Sequence, residues 1–457
     1  MRDLMYEHVC TVLVGVATLF RFIGYDISTF IVESVVHSAH IRDPNAIINH
    51  AGYYGQAVKE ISSVLSTFFV PIVLNYMKAK WALVIGTGAF AFYVGSFFWI
   101  NNYLYFIANI ALGIAFTLNY TAFSTYQMQF STRKTLARNS GRVWSISCVS
   151  LLFGGSLYIY VTSTRPQSID DKSGNETSGI EQYRYYSQEE TRTLCSFLFA
   201  SCIISTVMHA FFPDRKVEHS VSIDNPHERL TLKQQVGAIA SVLVNPYILM
   251  FIPRFLNYGL FFAFYMNVYP TSFQYSTILA TKYPMLTAYY AFAMCAGTTI
   301  CGLIIAPLNR RFHDFGLRPL YYIAIGVQLL TYIIAILTVP NWSTAHPTTE
   351  SAWLEPNVVW VCVAAFLLGF ADSANTASNT VICSRLIPGR ASHTYSAARF
   401  YISVASSIIF FCSPMLTMRA HAIILCSTTI FSALSFNLAV KQVEKREENT
   451  KNEKKSV

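Results

Sequence analysis

Charge is what this sequence has least of: Asp, Glu, Lys and Arg make up 12% of its 457 residues, against 53% apolar and 15% aromatic. Soluble domains carry about 25% charged residues, so composition alone excludes an ordinary water-soluble fold. Cysteine is missing from the middles of the polar loops. All ten, from Cys10 to Cys426, fall in or at the ends of apolar runs, so no disulfide framework is implied. No paired Cys or Cys/His spacing marks a metal site. No Gly-rich phosphate loop, nucleophile–base set or pair of surface carboxylates is present, so the expectation is a protein that is not an enzyme and needs no cofactor.

What is present instead is twelve long apolar runs, near 9–36, 51–77, 82–101, 103–130, 142–163, 191–212, 238–267, 284–308, 318–339, 357–387, 393–415 and 420–440. A bilayer hydrocarbon core takes about 20 apolar residues per spanning helix. The expected fold is therefore an all-α integral membrane protein with twelve transmembrane helices and membrane lipid as its solvent. The first run lacks a small-residue cleavage site and reads as a retained span. Trp81, Trp99, Trp342, Trp353 and Trp360 fall near run ends, where indoles anchor at the headgroups.

Basic residues collect in every second loop. With the N-terminus in the cytoplasm, 22 of the 33 Lys and Arg residues lie in inward segments, as the positive-inside rule requires. The outward loops keep scattered ones such as Arg42, Lys172 and Arg184. The sequons outside apolar runs, at Asn175 and Asn341, both fall in loops assigned outward, which makes both glycosylation candidates. Asn119-Tyr-Thr lies within a span and is not modified. The net charge of +9 is then a topology signal and an attraction to anionic lipid, with no nucleic-acid partner.

A polar stretch at 213–237 divides the chain. The expected organisation is an N-terminal six-helix half (1–212), a cytoplasmic linker (213–237), a C-terminal six-helix half (238–440) and a disordered basic cytoplasmic tail (441–457). The halves echo one another: VPIVLNYMKAKW and APLNRRFHDFGLRP each place Pro and Asn before a short basic turn. Parallel six-helix repeats joined by a cytoplasmic linker are the plan of the major facilitator superfamily, with substrate bound between the halves near the midplane.

A narrower resemblance lies in two regions. Residues 112–161, with Arg138-Asn139-Ser140-Gly141 and Trp144, and residues 364–411, with Leu368-Gly369-Phe370-Ala371-Asp372-Ser373, resemble the uncoordinated-93-like branch of that superfamily. The resemblance implies a cavity lined by the tenth helix. For some branch members it implies a non-transporting regulator or trafficking partner of another membrane protein such as an ion channel. The turn at Lys78–Lys80 departs from the superfamily's Gly/Asp/Arg pattern, and the seventh span, FIPRFLNYGLFFAFYM, lacks an acidic residue.

Ionisable groups at bilayer depth are expensive and mark candidate sites. Arg21 lies about 18 Å from the inner end of its span. Asp26 lies closer to the outer end, level with Lys59, and an Asp26–Lys59 pair is expected. Asp372 heads a stripe with Asn375, Thr376 and Asn379 on one helical face; it lines either a cavity or a set of interhelical hydrogen bonds. Arg399 stands only about 9 Å from the inner end, against about 21 Å for Asp372, and is expected to snorkel inward. Arg21 and Asp372 are expected to face one cavity. Arg254 and Asn257, between Pro253 and Gly259, line it or belong to a kink, and Asn119 shares a face with Tyr126.

The candidate solute-binding set is thus Arg21, Asp26, Asn119, Arg254, Asn257, Asp372, Asn375 and Asn379. The expected function is secondary transport of a small solute by alternating access, the alternative being a partner of another membrane protein. Lys454-Lys455-Ser456-Val457 matches a dilysine retrieval signal, which leaves an endomembrane or the plasma membrane as the location.

Overall fold

In a computed structural model the chain is described over residues 2–132, 135–164, 183–215, 217, 220, 231–312, 315, 317–387 and 391–456. With no water in a bilayer core, every main-chain polar group must be satisfied within its own segment, and long apolar runs become helices. The first half comprises α1 (Arg2–Arg42), α2 (Ala51–Ser66), α3 (Val70–Tyr76), α4 (Ala79–Gly95), α5 (Asn102–Phe130), α6 (Leu136–Cys148), α7 (Ser150–Ser163) and α8 (Gln188–Ala210). The second comprises α9 (Leu232–Leu243), α10 (Ile252–Ala263), α11 (Tyr269–Tyr275), α12 (Leu286–Arg311), α13 (Arg318–Thr338), α14 (Val358–Leu386), α15 (Ala391–Cys412) and α16 (Met418–Ser456).

Among the described residues, ten helical stretches are long and apolar enough to cross a membrane, α6 and α7 together forming one of them. Two further passes are interrupted, a layout consistent with twelve crossings. One runs through α2 and α3 and breaks at Thr67–Phe69, with Pro71 in the first turn of α3. The other joins α10 to α11 through a π-helical turn, Phe264–Val268. Pro270 explains that turn: it has no N–H for the ladder, and its ring would strike the carbonyl of Met266 in a regular helix.

Two boundaries differ from the sequence reading. The run near 238–267 is divided, because Pro246 follows Asn245, whose side chain accepts from the Tyr247 amide and caps a new helical turn. The helix before the break, α9, starts within the expected linker at a Thr231/Gln234 capping box and packs on α15. The stretch expected as a disordered tail instead continues α16 as helix to Ser456. Its Lys- and Glu-rich composition favours helix over most other polar sequences.

Within each half the helices pack as a bundle, and the halves meet along α2 against α15 and α7 against α12. Both termini lie on one face, the terminal face. There Arg215 pairs with Asp3 (2.6 Å) and Lys78 with Asp214 (2.5 Å), while in the other half Arg318 pairs with Glu444 (2.5 Å). Such half-exposed pairs contribute little to stability but fix which loops neighbour one another.

On the opposite face the halves are sealed. Gln274 Nε2 donates to the Phe30 carbonyl (2.8 Å), Tyr53 Oη to that of Thr344 (2.8 Å) and Asn267 Nδ2 to that of Thr29 (3.4 Å). Glu33 anchors the seal, accepting from the Tyr53 amide (3.0 Å), His50 Nδ1 (3.1 Å) and Tyr275 Oη (3.4 Å). His50 holds a left-handed backbone (φ 58°), a costly conformation for a residue with a Cβ that its surroundings must impose. Toward the terminal face, Tyr120 on α5 and Thr376 and Thr380 on α14 remain exposed. The space between the halves is therefore closed at one end and open at the other.

Candidate functional site

Asp372 sits midway along α14 and looks into the space between the halves. Its Oδ1 accepts from Tyr258 Oη (3.0 Å) and Tyr265 Oη (2.9 Å). The Tyr258 oxygen lies 2.8 Å from Thr376 Oγ1; its one hydrogen goes to the carboxylate, so Thr376 is the donor. Among the described residues no cation pairs with Asp372, and it keeps accessible surface in mid-helix. Tyr265 belongs to the π-helical turn, so the backbone defect in the seventh pass delivers one of the two tyrosines.

Gly369 sets the position of Asp372. A Cβ there would collide with the Met294 carbonyl, and one on Gly297 with the Phe366 carbonyl. The two glycines let α12 and α14 approach backbone to backbone, as small residues do in membrane bundles.

Asp26 on α1 accepts from Ser150 Oγ (3.3 Å) and feels both Arg21 and Asp372 electrostatically. The expected Asp26–Lys59 pair does not form. Successive helical residues point about 100° apart, and it is Tyr25 that meets α2 while Asp26 turns to Ser150 on α7. Lys59, 1% exposed, donates to Tyr25 Oη (3.0 Å) and Gln56 Oε1 (2.7 Å) and lies 3.1 Å from Glu60 Oε1. Four rings surround its ammonium at 5.4–5.9 Å: Tyr25, Phe116, Phe262 and Phe410. They come from α1, α5, α10 and α15, so both halves build this cation–π cage.

Glu60 is also 1% exposed, and its Oε2 lies 3.7 Å from Arg399 Nη2 of the other half. Arg399 is thus held at the interface by Glu60, with its guanidinium over Phe116 and Phe262 at 5.8 Å each; it does not snorkel inward. A buried carboxylate on α2 keeps its charge in the bundle by meeting cations from its own helix and from α15.

The other candidates divide into separate clusters. Arg21 does not reach Asp372: it is 7% exposed, its guanidinium lying 4.7 Å from the Phe22 centroid and 5.2 Å from that of Phe90 within the first half. Asn119 donates to the Ala115 carbonyl (3.1 Å) and packs on Gly86, a contact between α5 and α4. Asn257 donates to Gln328 (3.3 Å) and accepts from Thr429 (2.8 Å), binding α10 to α13 and α16.

Arg254, Asn375 and Asn379 do come together. Arg254 Nη1 donates to Asn379 Oδ1 (2.9 Å) and Nη2 to the Asn375 carbonyl (3.4 Å), with Tyr321 stacked at 4.9 Å. Arg254 and Tyr258 on α10 and Tyr265 in the π-helical turn therefore form a ladder along the seventh pass against the stripe on α14. Asn341 follows α13 and caps α16, accepting from the Arg419 amide (3.1 Å); Asn175 lies outside the described residues. Among the described residues no group of three or more His, Cys, Asp or Glu is placed to hold a metal, and all ten cysteines are free.

Sequence reasoning passed over Glu60, Tyr258 and Tyr265. A signal existed for the tyrosines, since 254, 258 and 265 share one face of a helix. Glu60 carried the same signal as Lys59, a charge inside an apolar run, but nothing in the sequence pointed to its partner Arg399, 339 positions away.

Residues 43–437 match the family model for ion channel regulatory protein UNC-93. The chain is 21% identical to the UNC93-like protein MFSD11 of Xenopus laevis and 19% identical to that of Xenopus tropicalis, over 93% of this chain and 94% of each relative. Among solved structures, the nucleoside transporter NupG aligns with a TM-score of 0.61 at 13% identity, covering 94% of this chain and 99% of that one. The major facilitator superfamily transporter FucP, in its outward conformation, aligns at 0.56 and 10% identity, over 94% and 98%. The fold is that of major facilitator superfamily transporters, and with the family model spanning most of its length the chain belongs to the UNC-93 family.

Proposed function

We propose that this protein is a secondary transporter that moves a small solute by alternating access of its two halves. The observation that carries this reading is a carboxylate, Asp372, held by two tyrosine hydroxyls and, among the described residues, without a cationic partner, in a space open at one end only. A site between two rigid bundles, sealed on one side by hydrogen bonds that rocking can break, is what alternating access needs. Asp372 then binds the solute or a coupled cation, with Asp26 facing it from the first half. The likeness to NupG and FucP supports the architecture and leaves the solute open.

The test is reconstitution of the purified chain in proteoliposomes and measurement of uptake from a mixed pool of metabolites. Uptake above empty vesicles, lost in Asp372→Asn while the variant still elutes as a folded species, is the expected result. A folded protein that moves nothing in either direction would overturn the reading. The family's description favours a second reading, a regulatory or trafficking subunit of another membrane protein. A stoichiometric membrane-protein partner in pull-downs, together with absent flux, is its signature. In both readings the terminal face is cytoplasmic, supported by the basic residues gathered there, in an endomembrane or the plasma membrane.

A further inference from the structure

We propose that Arg399 is the anchor for the carboxylate of the transported solute, so that the solute is a small organic acid. This rests on the transport reading of the same cavity and names its substrate class. Three observations converge on it.

The first is unused donor capacity. A guanidinium carries five N–H donors in a fixed fork. Among the described residues that of Arg399 makes no hydrogen bond, and its one ionic contact, to Glu60, is 3.7 Å long. Its side chain is 34% exposed although it stands in the cavity between the halves. Arg254, by contrast, is 3% exposed and donates to Asn379 and Asn375.

The second is an imbalance of charge. Lys59 is closer to Glu60, at 3.1 Å, than Arg399 is. Two cations, Lys59 and Arg399, thus share one contacting carboxylate, and the three groups together carry a net positive charge. Asp372 forms no direct pair with Arg399: no N–O contact within 4.0 Å joins the two. Positive charge in a low-dielectric cavity attracts an anion far more strongly than it would in water.

The third is the aromatic setting. Phe116 and Phe262, one from each half, both lie against the guanidinium at 5.8 Å. The rings flank the group without using its N–H donors, which remain for bidentate recognition of a carboxylate. Tyr120, 53% exposed, and Tyr258 are close enough to interact with Arg399 electrostatically. An acid seated on Arg399 touches residues of both halves, and its far end points along Tyr258 toward Asp372, where a donor group is accepted.

The probe is benzoate, with benzamide as its neutral isostere and inorganic phosphate as the other oxyanion source. Thermal unfolding of the detergent-purified chain is followed with each at millimolar concentration and matched ionic strength. Benzoate should raise the midpoint, benzamide should not, and the difference should vanish in Arg399→Gln and shrink in Arg399→Lys. Should Arg399→Gln not fold, modification of the native chain by phenylglyoxal, mapped by mass spectrometry, takes its place: benzoate should slow labelling of Arg399 several-fold and benzamide leave it unchanged. Equal behaviour of benzoate and benzamide overturns the proposal, and an effect of phosphate without one of benzoate overturns the organic-acid assignment. Uptake that persists in Arg399→Gln would sink the anchor and spare the transporter, whereas benzoate binding without flux would do the reverse.

Discussion

At the scale of single residues, the chemistry of this molecule lies in side chains whose partners come from elsewhere in the sequence. Lys59 and Glu60 show it best. Neutralising one member of a buried ion pair strands the other charge, at a cost of about 3–5 kcal/mol, whereas replacing both with apolar residues is often neutral. Lys59→Met should therefore lower the melting temperature of the purified chain, and Lys59→Met with Glu60→Leu should recover most of the loss. A double variant as unstable as the sum of its singles would show that the two residues act independently. The sequence exposed the charged residues as costly but could not pair them: depth matched Asp26 with Lys59, and a rotation of one residue gave the contact to Tyr25. Arg399 was placed low in its span, and only the packing of α15 on α2 revealed that it meets Glu60.

At the scale of elements, the informative features are departures from regular helix. Pro270 widens the seventh pass and presents Tyr265 to Asp372; Gly369 and Gly297 bring α14 onto α12. Gly369→Leu should misfold or strongly destabilise the chain, since overpacking costs about 1–3 kcal/mol even where neighbours adjust and main-chain carbonyls adjust poorly. Gly302→Leu, on the partner helix α12 but facing open space, is the control and should leave the chromatographic profile of the detergent-purified protein unchanged. Loss of monodispersity in both would attribute the effect to added bulk in general and not to the main-chain collision. The motif around Asp372 was visible in the sequence, yet the reason for its glycine was not, because the collision it avoids is with a helix some 75 residues earlier. The division of the run near 238–267 was signalled by Asn245-Pro246, but hydropathy averaging passes over a two-residue break.

At the scale of the whole molecule, the bilayer makes architecture legible: main-chain satisfaction forces helices, and charge asymmetry orders the loops. The orientation that follows is testable, because Asn175 then faces the glycosylation machinery. Asn175→Gln should reduce a glycosidase-sensitive mass shift of the expressed protein, and Asn175→Gln with Asn341→Gln should abolish it; an unmodified wild-type chain would remove that support for sidedness. What stayed hidden at this scale was the state of the cavity, which depends on contacts between halves that no local pattern encodes. The seal on the opposite face has a consequence of its own. Three of its acceptors are the main-chain oxygens of Thr29, Phe30 and Thr344, and a main-chain oxygen survives every substitution. That part of the lock is thus immune to drift in sequence, and variation that retunes how readily the molecule opens has to arise at side chains, at the donors Asn267, Gln274 and Tyr53 or at the Glu33 carboxylate.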